Sequence, residues 1–100
     1  MTRWLLTVGH HRSRQQYQSW YSVVLGEVTG TWEDAHRALW DWAVRYKPSD
    51  PWVVERRWIL RDGNGFLSVF EGLTLTVTCK FRAREILWSE PAGKAPSPTP

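Results

Sequence analysis

Cysteine, long apolar runs and a strong excess of one charge are all scarce in this sequence. Cys79 is the only cysteine among 100 residues, which excludes an intramolecular disulfide and a thiolate zinc cluster. No apolar run is as long as a membrane-spanning helix, and the run near the N-terminus is shorter than the apolar core of a secretory signal. These absences predict a soluble cytoplasmic protein that does not bind membranes.

Signatures of catalysis and of metal binding are missing as well. The candidate metal ligands do not have the spacing of a zinc site; they are His10, His11, His36 and Cys79. No Gly-rich phosphate loop is present, and no Ser or Cys stands in a nucleophile motif. We therefore expect a protein that is not an enzyme, has no cofactor and takes no small-molecule substrate.

Tryptophan, by contrast, is abundant. The chain has eight tryptophans, and such large apolar side chains can stabilise a small core. Its length suits a single domain. We assign a short strand and a basic segment to residues 1–16, a single α+β domain to residues 17–88, and a disordered Pro-rich tail to residues 89–100.

The apolar pattern predicts an α+β fold. We expect an antiparallel sheet of about five strands, in the order β-β-α-β-β-β, with one helix packed on one face. Thr31 is the expected N-cap of the helix, and Pro48 requires the helix to end before it. Val23, Val24 and Leu25 are consecutive apolar residues and would place apolar side chains on both faces of a strand. This indicates a central strand covered on both faces. The expected strands span residues 3–9, 17–28, 53–61, 66–71 and 73–88.

The last strand has an alternating pattern. Apolar residues occupy the odd positions from Leu73 to Ala83, and threonines and cations occupy the even positions from Thr74 to Arg84. The odd positions should therefore face the helix and the even positions should face away from it. A two-residue loop at Glu71 and Gly72 would place Phe70 opposite Leu73.

The turn at residues 62–65 admits two interpretations. A two-residue loop would put Arg57 and Arg61 beside the phenylalanines of the next strand, whereas a three-residue loop puts Trp58 opposite Phe70. We choose the three-residue loop, because it builds one continuous apolar face beneath the helix. Trp58 then lies inside the protein.

This choice defines a candidate interface on the sheet face that points away from the helix. The face has an aliphatic centre and a polar border, as contact surfaces do, although a bare sheet face also tolerates a few apolar residues. We predict that the chain forms a homo-oligomer, most simply a dimer, through this face. The interface residues are Arg57, Ile59, Arg61, Leu67, Val69, Glu71, Thr74 and Thr76.

Two alternatives remain. The chain would bind the phosphate backbone of nucleic acid through Arg12, Arg14, Lys80, Arg82 and Arg84, although the predicted face lacks exposed aromatics on which bases could stack. The small net charge of +3 is also short of that of a committed nucleic-acid binder. In the second alternative, a pocket between helix and sheet holds an apolar ligand; its lining is Trp32, Trp40 and Trp58.

Several stretches resemble small uncharacterised proteins of high-GC actinobacteria. The resemblance covers about residues 20–85, and the motifs that carry it are Tyr21–Gly26, Gly30–Ala35, Tyr46-Lys47-Pro48 with Pro51, and Arg61–Leu67. Most of these motifs are turn and capping sequences. The resemblance implies an α+β fold and carries no site residues, since no activity is known for that group.

Overall fold

The architecture is the predicted one. The computed structural model describes residues 1–14, 17–48, 53–73 and 75–90, and in them a five-stranded antiparallel sheet and one helix follow the order β-β-α-β-β-β. The elements are β1 Arg3–Arg14, β2 Tyr17–Thr29, α1 Trp32–Arg45, β3 Arg56–Asp62, β4 Gly65–Glu71 and β5 Thr76–Glu85. In space the strands run β2-β1-β5-β4-β3. Residues 91–100 of the predicted tail lie outside the described residues.

The first two strands differ from the prediction. β1 continues to Arg14, through a stretch expected to be irregular, and lies between β2 and β5. The prediction that β2 is central is wrong: β2 is an edge strand, and Val24 is 61% exposed. The apolar run in β2 has another cause, a β-bulge at Leu25. Leu25 has no partner on β1, so the alternation of side chains between the two faces shifts by one residue at this point. Leu25 packs against the core.

The helix begins at the predicted cap. The Thr31 side chain accepts a hydrogen bond from the Asp34 backbone N–H, and the Asp34 carboxylate accepts one from the Thr31 N–H. Gly30 precedes this capping box with a φ of 153°, and a Cβ at that position would overlap the Asp34 side chain. The Trp4 indole N–H donates to the Gly30 carbonyl at 3.1 Å, which ties the start of α1 to β1.

The core lies between α1 and the sheet, and β5 has the predicted polarity. We call the sheet face beneath α1 the inner face and the opposite face the outer face. Val77, Cys79 and Phe81 of β5 are buried on the inner face, and the even positions of β5 lie on the outer face. The buried apolar side chains include Leu6 and Val8 of β1, Leu39 and Ala43 of α1, Phe66 and Phe70 of β4, and Val77, Cys79 and Phe81 of β5.

The β4–β5 connection is longer than predicted. Phe70 pairs with Val77, four residues beyond the expected partner Leu73, and Glu71 pairs with Thr76. Leu73 lies in the turn and is 80% exposed, while the Gly72 N–H donates to the Leu75 carbonyl at 3.0 Å. Because the shift is an even number of residues, every side chain of β5 keeps its predicted face.

The β3–β4 connection is shorter than predicted, and this difference changes which side chains of β3 lie on the outer face. Asp62 pairs with Gly65, so the loop is the two residues Gly63 and Asn64, with Gly63 at a left-handed φ of 59°. The choice of a three-residue loop is therefore wrong. A one-residue change of register moves every side chain of β3 to the other face. Trp58 consequently lies on the outer face, beside Val69.

Candidate functional site

An exposed apolar cluster lies on the outer face of the sheet, where β3 and β4 run side by side. Trp58 pairs with Val69 and Leu60 pairs with Leu67, so four apolar side chains form a compact block. Trp58 is 38% exposed and Leu60 is 46% exposed, and both β4 members are half-buried. We call Trp58, Leu60, Leu67 and Val69 the apolar block. Its side chains point away from α1, so the core does not cover them.

Charged side chains stand at both ends of the apolar block. At one end, Arg56 pairs with Glu71 across the two strands, and its guanidinium lies over the Trp58 ring at 5.4 Å from the ring centre. At the other end, Arg82 of β5 forms an ion pair of 2.7 Å with the Asp62 carboxylate and donates to the Asp62 carbonyl. Each end thus carries one cation and one anion.

Gly65 allows the Arg82–Asp62 bridge to form. Arg82 is on β5 and Asp62 is on β3, so the guanidinium must pass over β4 between them. A Cβ at Gly65 would overlap both the Arg82 guanidinium and the Phe81 carbonyl. The positive charge of Arg82 therefore lies over β4, directly beyond the apolar block.

The part of the outer face next to the apolar block, on the side of β5, is polar or basic. Lys80 is adjacent to Leu67 in the register, and Thr78 is adjacent to Val69. Arg84 donates to the Thr7 hydroxyl at 3.4 Å. Farther along β1, Arg3 forms an ion pair of 2.6 Å with Glu27. The apolar block is therefore bordered by hydrogen-bonding groups on the side of β5.

The structure places half of the predicted interface residues on the outer face. Leu67, Val69, Glu71 and Thr76 lie there, as predicted. The prediction for Arg57, Ile59 and Arg61 is wrong, because the two-residue loop turns these side chains to the inner face. Thr74 lies outside the described residues. Trp58, which was predicted to lie inside the protein, and Leu60 take the vacated positions on the outer face.

Arg57 shows how the inner face accommodates a cation. Its guanidinium donates to the carbonyl of Ala43 in the last turns of α1 at 2.5 Å and lies over the Phe70 ring at 4.8 Å from the ring centre. Carbonyl groups at a helix C-terminus lack intrahelical donors and carry partial negative charge, so they attract a cation. Arg57 therefore fastens β3 to α1.

The cations of the nucleic-acid alternative are only partly brought together. Lys80, Arg82 and Arg84 share the outer face, as the alternation predicts, but Arg82 is already bound to Asp62. Arg12 and Arg14 belong to the last residues of β1. Their side chains lie outside the described part of the structure.

The predicted tryptophan pocket is not formed. Trp32 stacks on His36 with ring centres 4.6 Å apart, and Trp40 contacts Phe66 edge-on at 5.1 Å. Trp58 lies on the opposite side of the sheet, so the three tryptophans cannot line one cavity. An open groove of about 530 Å³ lies elsewhere, at the C-terminal end of β5, and its lining includes Leu5, Arg84 and Trp88.

His10 and Cys79 are buried on the inner face, and the half-buried Tyr46 at the end of α1 packs against the same core. The His10 ring and the Tyr46 hydroxyl are 2.5 Å apart and share a hydrogen bond, and burial raises the pKa of Tyr46. Burial also raises the pKa of Cys79 to about 12, so its thiol stays protonated near neutral pH. These groups pack the core and present no exposed nucleophile.

The described residues provide no group of three or more side chains arranged to hold a metal ion. In that part of the chain we find no helix with the length and apolarity needed to cross a bilayer. The chain matches no protein-family model, no curated protein and no solved structure.

Proposed function

We propose that this protein is a non-catalytic interaction module that self-associates through the outer face of its sheet. The observation that carries the proposal is the apolar block, four neighbouring apolar side chains on a sheet face that α1 leaves uncovered. Apolar patches bordered by polar residues are typical of protein contact surfaces. A second copy supplies an identical patch, so a two-fold dimer buries both.

The size of the apolar block predicts a weak, reversible dimer. Complete burial of a Val or Leu side chain contributes about 1.5–3 kcal/mol, and side chains that are already half-covered have on the order of 1 kcal/mol left to gain. Two copies of the block then supply on the order of 8 kcal/mol, against an association cost of about 4–15 kcal/mol. The polar border must therefore contribute to the contact.

The test is sedimentation velocity over a concentration series from low micromolar to near millimolar. We expect the wild type to pass from monomer to dimer, and the Val69→Glu variant to stay monomeric because it buries a carboxylate in the contact. Val44→Glu is the matched control, since Val44 is exposed on α1 at 42%. This control should dimerise like the wild type. A wild type that remains monomeric throughout the series refutes the proposal.

A second candidate function, binding of single-stranded nucleic acid, is favoured by the position of Trp58. The outer face offers this aromatic ring together with Lys80 and Arg84, and sheets that bind single strands combine stacking rings with cations. The Arg56 guanidinium over the ring and the Asp62 partner of Arg82 count against it.

A titration with mixed-sequence oligonucleotides tests this second function. Binding at low salt that weakens steeply with added salt, and that Trp58→Ala reduces, would support it. The same substitution on α1, Trp40→Ala, is the control, because Trp40 is exposed but lies on the other side of the sheet. Absence of binding at low salt eliminates this function.

A further inference from the structure

The charges around the apolar block are arranged as a checkerboard. Along β3 the outer face has Arg56 at one end and Asp62 at the other, with Trp58 and Leu60 between them. Along β4 the order of signs is reversed, with Glu71 at the first end and the Arg82 guanidinium over Gly65 at the second. The two ends are six residues apart, which is about 20 Å in a strand.

This pattern restricts how two copies can face each other. We infer that a second copy packs face to face about a two-fold axis that crosses the strands between the Trp58–Val69 pair and the Leu60–Leu67 pair; the inference rests on the proposed self-association. Such an axis places each strand over the same strand of the partner and exchanges the two ends of the block. The partner is thus a second copy of this chain, in one defined orientation.

The contacts made by this arrangement are complementary in both polarity and charge. Trp58 of one copy lies over Leu60 of the other, and Leu67 lies over Val69. Arg56 comes to the position of the other copy's Asp62, and Glu71 comes to that of its Arg82 guanidinium. Lys80 lies over Thr78, which keeps the two Lys80 groups apart along the strand. Each dimer would therefore contain four intermolecular pairs of unlike charge.

A two-fold axis parallel to the strands, between β3 and β4, also pairs unlike charges. It places Arg56 over the other copy's Glu71 and Asp62 over its Arg82. That axis, however, overlaps only β3 and β4, because β5 of each copy then projects beyond the other's edge strand β3. The two arrangements therefore differ in the area over which the two sheets overlap.

The axis across the strands overlaps all five strands of the sheet. Five strands spaced about 4.8 Å apart, over about 20 Å of length, give an overlap on the order of 400 Å² before side chains interdigitate. Specific interfaces bury about 800 Å² on each partner. The axis across the strands thus provides about half of that area before side chains interdigitate. The axis parallel to the strands overlaps two strands of five, which is less than half as much.

An exchange of charges on β3 and β4 tests the orientation. The double variant R56E with E71R keeps the net charge and keeps unlike charges at opposite positions of these two strands within each copy. Across the proposed axis, the carboxylate introduced at position 56 opposes the Asp62 carboxylate, and the guanidinium introduced at position 71 opposes that of Arg82. We expect the dissociation constant to rise at least tenfold. We also expect added salt to strengthen the variant dimer while it weakens the wild-type dimer.

The outcomes separate this inference from the proposed function. If Val69→Glu abolishes the dimer while the charge exchange leaves its affinity unchanged, self-association stands and the parallel axis replaces the proposed one. If Glu71→Gln alone has no effect although Arg56→Gln weakens the dimer, the β3 edges pair instead, and the inference is overturned. A monomeric wild type overturns both. Urea unfolding of each variant at monomeric dilution checks that the fold is intact.

Discussion

Arg57 and Arg61 provide the sharpest test of the register. Both side chains lie on the inner side of β3, but Arg57 donates to the Ala43 carbonyl and lies over Phe70, while Arg61 is exposed. We expect Arg57→Met to destabilise the fold and Arg61→Met to leave it nearly unchanged. Methionine retains much of the apolar stem of arginine, so the difference isolates the guanidinium.

The size of the effect follows from the contacts of Arg57. A hydrogen bond to a charged group contributes about 1.5–3 kcal/mol, and a cation–π contact contributes about 0.5–1 kcal/mol. The Arg57 Nε is buried without a hydrogen-bond partner among the described atoms, and removing it recovers part of this loss. The free energy of unfolding should therefore fall by about 1–3 kcal/mol for Arg57→Met, and by no more than about 0.5 kcal/mol for Arg61→Met.

Urea unfolding followed by tryptophan fluorescence measures both values, at a dilution that keeps the protein monomeric. Equal changes for the two variants would contradict the contact between Arg57 and α1. A larger loss for Arg61→Met than for Arg57→Met would contradict the same contact.

Two further predictions concern titratable groups. The hydrogen bonds from Thr31 lower the pKa of Asp34, so its capping contribution is present above the unfolded pKa and is lost as pH falls through the folded pKa. Asp34→Ala should therefore lower the melting temperature at neutral pH, and the difference from the wild type should shrink as the pH falls through the lowered pKa of Asp34, as thermal scans would show. Burial raises the pKa of Cys79 to about 12, so the native protein should not react with a thiol reagent at pH 8 until urea unfolds it; rapid reaction of the folded chain would contradict this burial.

Much of the fold could be predicted because two local signals are strong. The capping box at Thr31 and Asp34 fixes the start of α1, and the alternation along β5 fixes which of its side chains are buried. The predicted length of the β4–β5 loop was wrong, but the predicted faces of the β5 side chains were still correct. Its error was an even number of residues, and the period of a strand is two.

The β3–β4 loop could not be predicted from the apolar pattern alone. Trp58, Ile59 and Leu60 are consecutive apolar residues with arginines on both sides. Both registers, that of the two-residue loop and that of the three-residue loop, therefore put large apolar groups on each face. The turn residues carried the better signal, since Gly-Asn is a recognised two-residue hairpin loop. An arginine on the inner face looks unfavourable in the apolar pattern of β3, because the carbonyl that binds Arg57 belongs to the end of α1, which is distant in sequence. Such a contact appears only when the helix is packed.

The same two-residue loop links stability to function. It turns Arg57 inward, where the guanidinium meets the helix end and the Phe70 ring, and by the same rotation it turns Trp58 outward beside Val69. It also brings Asp62 opposite Gly65, so that Arg82 can reach across β4 and set the sign of charge at that end of the apolar block. One added residue in this loop would reverse the faces of β3 and remove Trp58 and Leu60 from the outer face. The stability of the hairpin and the composition of the proposed contact surface therefore cannot be changed independently.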